Sequence, residues 1–448
     1  MEVIQPRLPK GMRDILPRQM VLRQYVLGIV ERTFAEFGFE PLITPSVELA
    51  EILLGKYGAE AEKLIFMVQH RGGKEKLALR YDLSVPLSRV VAQYPDLPKP
   101  FRRYQIAPVW RAERPQKGRY REFWQCDADI VGSSSMLADA EIIALIYTVL
   151  QRLGFQQFVI RLNDRKILSG IGQYSGVPEA QLPELYRTID KLDKIGIEAV
   201  REELQESGLA GQTIDRLLAL LQPGKDGQAA LDDLRRELMD YPLAQEGIAE
   251  LTELLSYLPS LGVKDGFYRV DLAMVRGLDY YTGPIYETVV EKPRIGSITG
   301  GGRFDGLVGK FSVQSYPATG TTIGIERILD VMEELRMFPS DVGETTVQVL
   351  VTIFSAELMH ESLRLLTELR SAGLRCELYY DADPLGTQIR YALKKGIPFV
   401  AIVGPDELAS AQVTLRNLPL KSQVQVARSE VSEFLRRQFA SEATPPPL

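Results

Sequence analysis

The chain has 448 residues, a hydrophobic fraction of 45%, a charged fraction of 25% and a formal net charge of −6. This length predicts two or three globular domains, and the negative charge leaves any nucleic-acid contact to local basic patches. The two cysteines, Cys126 and Cys376, and two isolated histidines argue against a disulfide framework, a structural zinc site and a histidine-based triad. There is no apolar run of membrane-spanning length and no signal-peptide core, so we expect a cytoplasmic protein without a membrane segment.

The first part of the chain predicts a mixture of helices and short strands. Apolar residues at helical spacing indicate helices over 18–37 and 137–152. The segment FEPLITP at 39–45 reads as a short strand, and its prolines predict a sheet edge or a strand end because proline cannot donate to a ladder. Residues 64–90 predict a hairpin around a turn at 71–74.

The remainder predicts a helical insertion followed by a separate domain. Residues from about 175 to 260 are rich in helix-forming types and poor in aromatics, which indicates an insertion between two strand-rich halves of one domain. From about residue 339 to 436 strands and helices alternate, which predicts a small α/β domain with a mixed sheet. Residues 437–448 end in a proline-rich run that we expect to be a disordered tail.

The stretch RAERPQKGRYREFWQCDAD, from Arg111 to Asp129, concentrates the charge. It carries five cations within eleven residues, broken by Pro115 and Gly118, which mark a turn. On the return side, side chains alternate between two faces. Trp124, Cys126, Ala128 and Ile130 fall on one face, and Arg121, Phe123, Gln125, Asp127 and Asp129 on the other. Two interpretations are open: a hairpin with its polar face in water, or a site for a ligand with phosphate at one end and an amine at the other.

Three further features each have a structural and a functional interpretation. GGGRFDG at 300–306 lacks the spacing of a dinucleotide fingerprint, but its glycines permit close approach of a ligand or another strand. In RGLDYYTG at 276–283, Arg276 could pair with Asp279 or clamp a phosphate or carboxylate. Asp82 precedes an apolar helix start, where it could be an N-cap.

The joint order of these motifs resembles the class II aminoacyl-tRNA synthetases and, within them, the histidyl-tRNA synthetase family. The resemblance covers nearly the whole chain. FEPLITP, WRAERPQKGRYREFWQ and TIGIERIL look like motifs 1, 2 and 3, and RGLDYYTG and GGGRFDGLVG look like the histidine-specific signatures. It implies an α+β fold: a catalytic domain over 1–338 with a central antiparallel sheet and a helical insertion, and a C-terminal α/β anticodon-binding domain. A homodimer formed through motif 1 is also expected.

The resemblance further implies a two-step reaction. Histidine and ATP, with Mg²⁺ whose ligands the sequence does not show, give histidyl-adenylate and pyrophosphate; the histidyl group then moves to tRNA(His). The implied catalytic cations are Arg111 and Arg276. The implied histidine-binding residues are Asp82, Leu83, Ser84, Arg111, Gln125, Asp129, Arg276, Tyr280 and Tyr281. The implied ATP-binding residues are Arg111, Glu113, Arg119, Phe123 and Arg327, and the implied tRNA-binding residues are Gln116 and Arg121. Trp124 falls on the opposite face of its strand and is expected to be a packing residue.

The sequence departs from the family pattern at a few positions. Asp82 and Asp129 stand where many bacterial members carry glutamate, and Trp124 stands where they often carry histidine. A rival interpretation is the regulatory subunit of ATP phosphoribosyltransferase, a catalytically inactive paralogue that senses histidine. Such paralogues generally lack the C-terminal domain and lose the arginine motifs. Because Arg111, Arg276 and Arg327 are all present, the sequence favours the enzyme.

Overall fold

The computed structural model describes residues 4–56, 62–116, 118–178, 181–221, 228–275, 281–339 and 342–440. The chain divides into two compact units. The first comprises Met1–Arg13 and Val26–Met337, and the second Asp14–Tyr25 and Phe338–Leu448. Two predicted site residues, Arg276 and Tyr280, lie outside the described residues, as does Asp279.

The first unit is built on one large sheet and one small sheet. Its strands are β1 (Glu40–Pro41), β2 (Val47–Leu49), β3 (Met67–Val68), β4 (Leu77–Leu79), β5 (Phe101–Trp110), β6 (Glu122–Val131), β7 (Val159–Asp164), β8 (Tyr268–Val270), β9 (Pro284–Val289), β10 (Thr299–Arg303) and β11 (Ala318–Ile323). The large sheet has the order β1-β5-β6-β11-β10-β9-β7-β8. Its neighbours are antiparallel except for the outer pairs β1–β5 and β7–β8. This arrangement confirms the predicted central antiparallel sheet.

The local sequence predicted the edge strand of the large sheet and the hairpin of the small sheet. Strand β1 lies at the edge of the large sheet, where the prolines of FEPLITP were expected because an edge strand can leave a donor position empty. The small sheet has the order β2-β4-β3. Strands β3 and β4 pair antiparallel around residues 71–74, which confirms the predicted hairpin up to Leu79. The predicted range of 64–90 is too long, because residues 84–90 are helical.

Helices cover one face of the large sheet and form the insertion. Up to residue 337 they are α1 (Pro17–Glu36), α2 (Ala50–Leu53), α3 (Ser84–Gln93), α4 (Met136–Arg152), α5 (Arg165–Tyr174), α6 (Leu182–Ile189), α7 (Leu192–Glu206), α8 (Gly211–Leu221), α9 (Gln228–Glu237), α10 (Pro242–Tyr257) and α11 (Ile325–Glu334). Helix α4 packs on β6, β10 and β11, and α10 packs on both α4 and α5. The end of the helical insertion therefore packs against the elements of the sheet domain.

Both faces of β6 are buried. The interpretation of this strand as part of a hairpin with its polar face in water is therefore wrong. Cys126, Ala128 and Ile130 lie on the α4 face, and all three are buried. Gln125, Asp127 and Asp129 alternate with them and are 8%, 3% and 2% exposed. The polar face of this strand is therefore not in water, and burial of its carboxylates requires compensation.

A buried ion pair fixes α4 to the far end of β10. Arg303 donates through Nε and Nη2 to Asp139 Oδ2, and Thr319 Oγ1 donates to Asp139 Oδ1 at 2.7 Å. The carbonyl oxygens of Ser133 and Ser135 accept from Arg303 Nη1 and Nη2 at 2.9 and 3.1 Å. Both charges are thus fully hydrogen-bonded, which is the condition under which a buried pair is tolerated.

The second unit is a smaller mixed sheet covered by helices. Its strands are β12 (Val349–Val351), β13 (Cys376–Leu378), β14 (Phe399–Ile402), β15 (Gln412–Asn417) and β16 (Ser422–Ala427), in the order β13-β12-β14-β15-β16. Strands β12, β13 and β14 are parallel, and β15 and β16 are antiparallel additions. Its helices are α12 (Met359–Ser371), α13 (Leu385–Lys395), α14 (Pro405–Ala409) and α15 (Val431–Ala440).

This second unit confirms the α/β alternation read from the sequence. Its core includes Val349 and Val351 of β12 and Leu365 and Leu369 of α12. Helix α15 runs to Ala440, so the predicted tail boundary at 437 is too early, and residues 441–448 lie outside the described residues. No helix in the described part of the chain is long and apolar enough to cross a membrane.

Candidate active site

A cavity of about 320 Å³ opens on the face of the large sheet that carries Gln125 and Thr322. It is bounded by the β5–β6 loop, by the strands β6, β10 and β11, and by the start of α11. Its lining residues are Arg111, Glu113, Gly118, Arg119, Tyr120, Phe123, Trp124, Gln125, Ser297, Ile298, Thr299, Gly300, Thr322, Gly324, Glu326 and Arg327. Cations and glycines together favour the approach of a phosphate to the backbone here.

The loop between β5 and β6 closes through a tight turn. Gln116 and Arg119 form an isolated antiparallel bridge, with N–H···O distances of 3.1 and 2.9 Å. Gly118 has a φ of +71°, a conformation that glycine adopts without strain. The turn predicted at Pro115 and Gly118 is confirmed, and it brings Arg119 back over the cavity.

Arg111 is held between two aromatic rings at the cavity wall. Its guanidinium carbon lies 4.4 Å from the ring centroid of Tyr81 and 5.1 Å from that of Phe123. Its Nε donates to the Tyr81 carbonyl oxygen at 3.1 Å. Stacking and this hydrogen bond together fix the plane of the guanidinium, which is the preorganisation that a bidentate anion contact needs.

The outer end of the cavity is cationic. Arg119 lies 3.9 Å from the Glu113 carboxylate, and Arg327 donates through Nη1 to the Ser297 carbonyl oxygen at 2.6 Å. Arg327 belongs to the first turn of α11, where the helix dipole adds positive potential. Next to it, the buried Glu326 is ion-paired with Arg13.

A buried acidic cluster adjoins the cavity beyond Gln125 on β6. Asp129 Oδ2 lies 2.8 Å from Nη2 of Arg103, which is itself 0% exposed, and these two residues face each other across β5 and β6. Asp82 Oδ1 accepts from the Val85 N–H at 3.0 Å, which confirms its N-capping role at α3. Asp82 also lies close enough to Asp127 and Asp129 to raise the pKa of both, so the capping residue is part of the acidic cluster.

Burial is the main cause of the shifted acidities in this cluster. It raises the pKa of Asp127, and the neighbouring Asp129 charge raises it further, while Arg103 opposes the shift. Burial also raises the pKa of Asp129, and the charge of Arg103 offsets part of that rise. The pKa of Tyr281 is raised by burial and then by these carboxylates. Asp127 and Asp129, with Asp82 beside them, thus share the charge of Arg103, and Asp127 also interacts with the charge of Arg80. The three carboxylates outnumber these two cations, which favours binding of a further cation.

Two glycines make this geometry possible. A Cβ built on Gly320 would lie 2.0 Å from Asp129 Oδ1, and a Cβ on Gly301 would lie 2.2 Å from the Gly320 carbonyl oxygen. Gly300, by contrast, has open space around its Cβ position and lines the cavity. The strand-packing interpretation of GGGRFDG is therefore confirmed at Gly301, while the open space at Gly300 leaves the ligand interpretation as a prediction.

Comparison with known proteins decides the family. The model described as "Histidyl-tRNA synthetase" matches residues 11–328, and that described as "Anticodon binding domain" matches residues 348–438. The chain belongs to the histidyl-tRNA synthetase family. A protein named histidine–tRNA ligase from Aeropyrum pernix is 44% identical over 438 residues, which cover 97% of this chain and 99% of that protein.

Solved structures agree with this assignment. Histidyl-tRNA synthetase from Nostoc sp. PCC 7120 superposes with a TM-score of 0.87 at 33% identity and covers 97% of this chain and 100% of that one. A Bacillus halodurans protein described as an ATP phosphoribosyltransferase regulatory subunit/histidyl-tRNA synthetase gives a TM-score of 0.73 at 24% identity. It covers 87% of this chain and 97% of that one. At that identity the second match shows the shared fold alone.

The structure brings most of the predicted site residues of this family member into two adjoining groups. Arg111, Glu113, Arg119, Phe123, Gln125 and Arg327 line the cavity. Asp82, Asp129 and Tyr281 lie in the acidic cluster, and the Leu83 carbonyl oxygen accepts from Arg103 at 3.0 Å.

Three predicted residues lie at the margins. Ser84 is half-buried at the first position of α3, and Gln116 is exposed in the turn. Arg121 donates through Nε to the Glu113 carbonyl oxygen at 3.0 Å, and its own N–H donates to the Gly11 carbonyl oxygen at 2.8 Å. Trp124, which was expected to be a packing residue, is among the residues that line the cavity. The residue adjoins the start of α11, where its N–H donates to Glu326.

Sequence reasoning missed several residues that this geometry brings to the site. Arg103 and Thr322 had no local signal, because each is defined only by its cross-strand partner on β6. Asp127 had a signal: it shares the strand face of Gln125 and Asp129. Glu326 stands directly before Arg327 in TIGIERIL and could have been considered with it.

Proposed function

We propose that this chain is a histidine–tRNA ligase. It activates L-histidine with ATP to histidyl-adenylate and pyrophosphate and transfers the histidyl group to the 3′ end of tRNA(His). Its family membership supports this proposal. The observation that carries it is the charge order of the site, in which a cationic rim adjoins a buried acidic end. An adenylate has the matching order, with phosphate on one side and an ammonium group on the other.

In the first step Arg111 contacts both the α-phosphate of ATP and the carboxylate of histidine. This brings the attacking oxygen to phosphorus and reduces the entropic cost of the encounter. The guanidinium stabilises the charge that grows on the phosphoryl oxygens in the transition state. Arg276 supplies a second cationic contact to the same phosphoryl group, although it lies outside the described residues.

ATP occupies the cavity, and histidine extends towards the acidic cluster. Glu113 meets the adenine, Phe123 stacks on it, and Arg119 and Arg327 meet the terminal phosphates. The residues that bind histidine are Asp82, Leu83, Ser84, Gln125 and Asp129 around the amine end and Tyr280 and Tyr281 around the imidazole. Buried hydrogen bonds of this kind can discriminate by about 10⁴–10⁵, because a wrong side chain leaves polar groups unpaired.

Magnesium is proposed as part of the substrate. Within the described ranges, no group of three or more His, Cys, Asp or Glu side chains could hold a metal ion. Glu326, whose buried carboxylate lines the cavity, forms an ion pair with Arg13. Mg²⁺ would arrive coordinated to the phosphates of ATP, as is usual for this ion.

For tRNA(His), Gln116 and Arg121 in the β5–β6 loop lie near the acceptor end, and the helical insertion covers the acceptor stem. The second unit binds the anticodon, as its match to an anticodon-binding model supports. Exposed anticodon bases can be stacked and hydrogen-bonded by such a domain.

We further infer a homodimer and a cytoplasmic location. The edge strand β1 adjoins Ile43, which is 85% exposed, and the small sheet exposes Val47, Leu49 and Met67. An apolar sheet edge of this kind is typical of an interface. Sedimentation at micromolar concentration is expected to give the mass of two chains, and a sharp monomer mass would contradict the inference. The two cysteines are free thiols, as is usual in a reducing compartment.

Amino-acid-dependent ATP–pyrophosphate exchange tests the proposed activity directly. The expected result is exchange with histidine and none with the other nineteen standard amino acids, followed by histidine transfer to tRNA(His). Tight histidine binding with no exchange would overturn the proposal and favour the regulatory interpretation.

A further inference from the structure

The amino-terminal segment 9–13 packs against the β5–β6 loop that bounds the cavity. The Gly11 carbonyl oxygen accepts from the Arg121 N–H at 2.8 Å, and the Lys10 carbonyl oxygen accepts from Arg121 Nη1 at 3.4 Å. Gly11 has a φ of +84°, and a Cβ built on it would lie 2.7 Å from Cγ of Pro115. The segment therefore lies in close contact with the loop on both sides of its turn.

Arg13, at the end of this segment, contacts three elements of the cavity wall. Its Nη2 donates to Glu326 Oε2 on α11, and its guanidinium carbon lies 3.7 Å from the ring centroid of Tyr120 in the loop. Glu326 Oε1 accepts from the Trp124 N–H on β6 at 3.4 Å. Glu326, Tyr120 and Trp124 all line the cavity. One arginine thus connects α11, the β5–β6 loop and β6 at the site.

The first consequence of these contacts is electrostatic. Glu326 directly precedes Arg327 in the first turn of α11, and its side chain is only 8% exposed, so water screens its charge poorly. Without a counterion this carboxylate would repel a phosphate and oppose the positive charge of Arg327. Arg13 supplies that counterion from a position 313 residues away in the chain.

The second consequence is a restriction of the loop. A guanidinium stacked on the Tyr120 ring limits the orientations of that ring, and the segment also binds the backbone of Arg121. Arg119 directly precedes Tyr120, so contacts at the next two residues restrict where its guanidinium can lie. The segment therefore acts on both cations that border the cavity, Arg119 and Arg327.

We propose that Arg13 is a positioning residue for the nucleotide. It neutralises Glu326 and fixes Tyr120, so that Arg119 and Arg327 meet the terminal phosphates of ATP. The inference rests on the proposed function, in which these two arginines contact those phosphates. Segment 9–13 is thereby a part of the ATP half of the site.

Arg13 variants test this role in pyrophosphate exchange. Arg13→Met removes the charge at similar length and is expected to raise the KM for ATP on the order of 10-fold, because an uncompensated carboxylate then faces the phosphates. The KM for histidine should not change. Arg13→Lys keeps the charge and should restore most of the affinity for ATP. The matched control is Arg7→Met, since Arg7 is exposed near the same end of the chain; it should leave both KM values unchanged. An equal rise in both KM values for Arg13→Met, or no rise in either, would overturn the proposal.

A double-mutant cycle separates charge neutralisation from general damage to the site. Glu326→Gln keeps the shape of the side chain and removes its charge. In that background Arg13→Met has no carboxylate to expose, so we expect most of its effect on the KM for ATP to vanish. An undiminished effect would exclude neutralisation of Glu326 as the role of Arg13.

Two glycine variants test the contact of the segment with the loop. Gly11→Ala forces the segment away from Pro115 and should raise the KM for ATP. Gly38→Ala is the matched control, because Gly38 has a similar φ of +75° but open space around its Cβ position. The same KM for ATP in the two variants would contradict the role of the segment.

The wild-type protein reports on the proposed function separately. Absence of histidine-dependent exchange in wild type contradicts that function rather than the role of Arg13. Calorimetric titration of wild type and Arg13→Met with ATP measures the positioning role without any turnover. Weaker binding of ATP by the variant is expected, and equal binding would overturn the proposal.

Discussion

Two buried arginine–aspartate pairs lie on opposite faces of the same sheet, and they are completed differently. On the α4 face, Arg303 and Asp139 have all their polar side-chain atoms hydrogen-bonded by each other, by Thr319 and by backbone carbonyls. On the cavity face, Arg103 pairs with Asp129, while Arg103 Nε and Nη1 have no hydrogen-bond partner among the residues that the structure describes. The same holds for Asp127 Oδ1 and Gln125 Oε1.

The difference separates a structural pair from a binding site. A buried polar atom without a partner costs about 1–3 kcal/mol, so a sheet that leaves several on one face loses stability there. A ligand with an ammonium group can recover part of this free energy when it binds. Mutation of the Arg303–Asp139 pair is therefore expected to lower the free energy of unfolding, and mutation of the Arg103–Asp129 pair to lower substrate affinity. Variants of each can test this distinction.

The largest expected effect is on the structural pair. Asp139→Asn leaves the Arg303 charge buried without its counterion, and arginine cannot neutralise itself by losing a proton. We expect the free energy of unfolding to fall by about 3–5 kcal/mol, measured by urea denaturation, with little change in the KM for histidine of the folded fraction. The matched control is Asp305→Asn, because Asp305 is a half-exposed partner of the same arginine and should cost less than about 1 kcal/mol. Equal losses in the two variants would contradict the structural role of Asp139.

The next effect concerns the cationic side of the site. Arg111→Ala removes the guanidinium that Tyr81 and Phe123 hold in place. We expect pyrophosphate exchange to fall by about 10²–10³, with no loss of unfolding free energy comparable to that of Asp139→Asn. Arg114→Ala is the control, since this arginine is exposed on the same loop and is not among the residues that line the cavity. An Arg111→Ala protein with wild-type exchange would exclude Arg111 from the chemistry.

The smallest effect is the pH dependence of the acidic cluster. Burial and the Asp129 charge raise the folded-state pKa of Asp127, so the folded chain binds more protons than the unfolded one above the ordinary aspartate value. Stability from this group therefore falls as pH rises from about 4 towards neutrality. Asp127→Asn removes the ionisation, and we expect it to stabilise the protein near pH 8 by about 1–2 kcal/mol and to have no effect near pH 4.

Thermal unfolding at the two pH values measures this difference. If Asp127→Asn instead destabilised the protein near pH 8, the ionised form of Asp127 would be favoured in the folded state, and the prediction would be wrong. A gain in stability that accompanies a loss of histidine affinity would place Asp127 on the binding side of the comparison.

Much of the fold could be predicted from local patterns. Helical periodicity predicted α1 and α4, prolines predicted the edge position of β1, and β/α alternation predicted the mixed sheet of the second unit. The alternation in β6 predicted which residues share a face, and the turn at Gly118 followed from glycine chemistry. What alternation could not predict was that both faces would be buried, because that depends on α4 covering one face and the rest of the site covering the other.

For the site, local sequence was enough to predict the chemical types and their order: cations in the β5–β6 loop, carboxylates at the end of β6, and glycines on β10. These follow from the chain alone because neighbours along a strand or in a tight turn have a fixed geometry. Which of these charges are compensated follows from the folded sheet and not from local sequence. Arg103 reaches Asp129 and Thr322 reaches Asp127 through strand pairing between distant segments, and burial of these contacts sets their energies. Pairing and burial depend on the whole sheet, so no single stretch of sequence could reveal them.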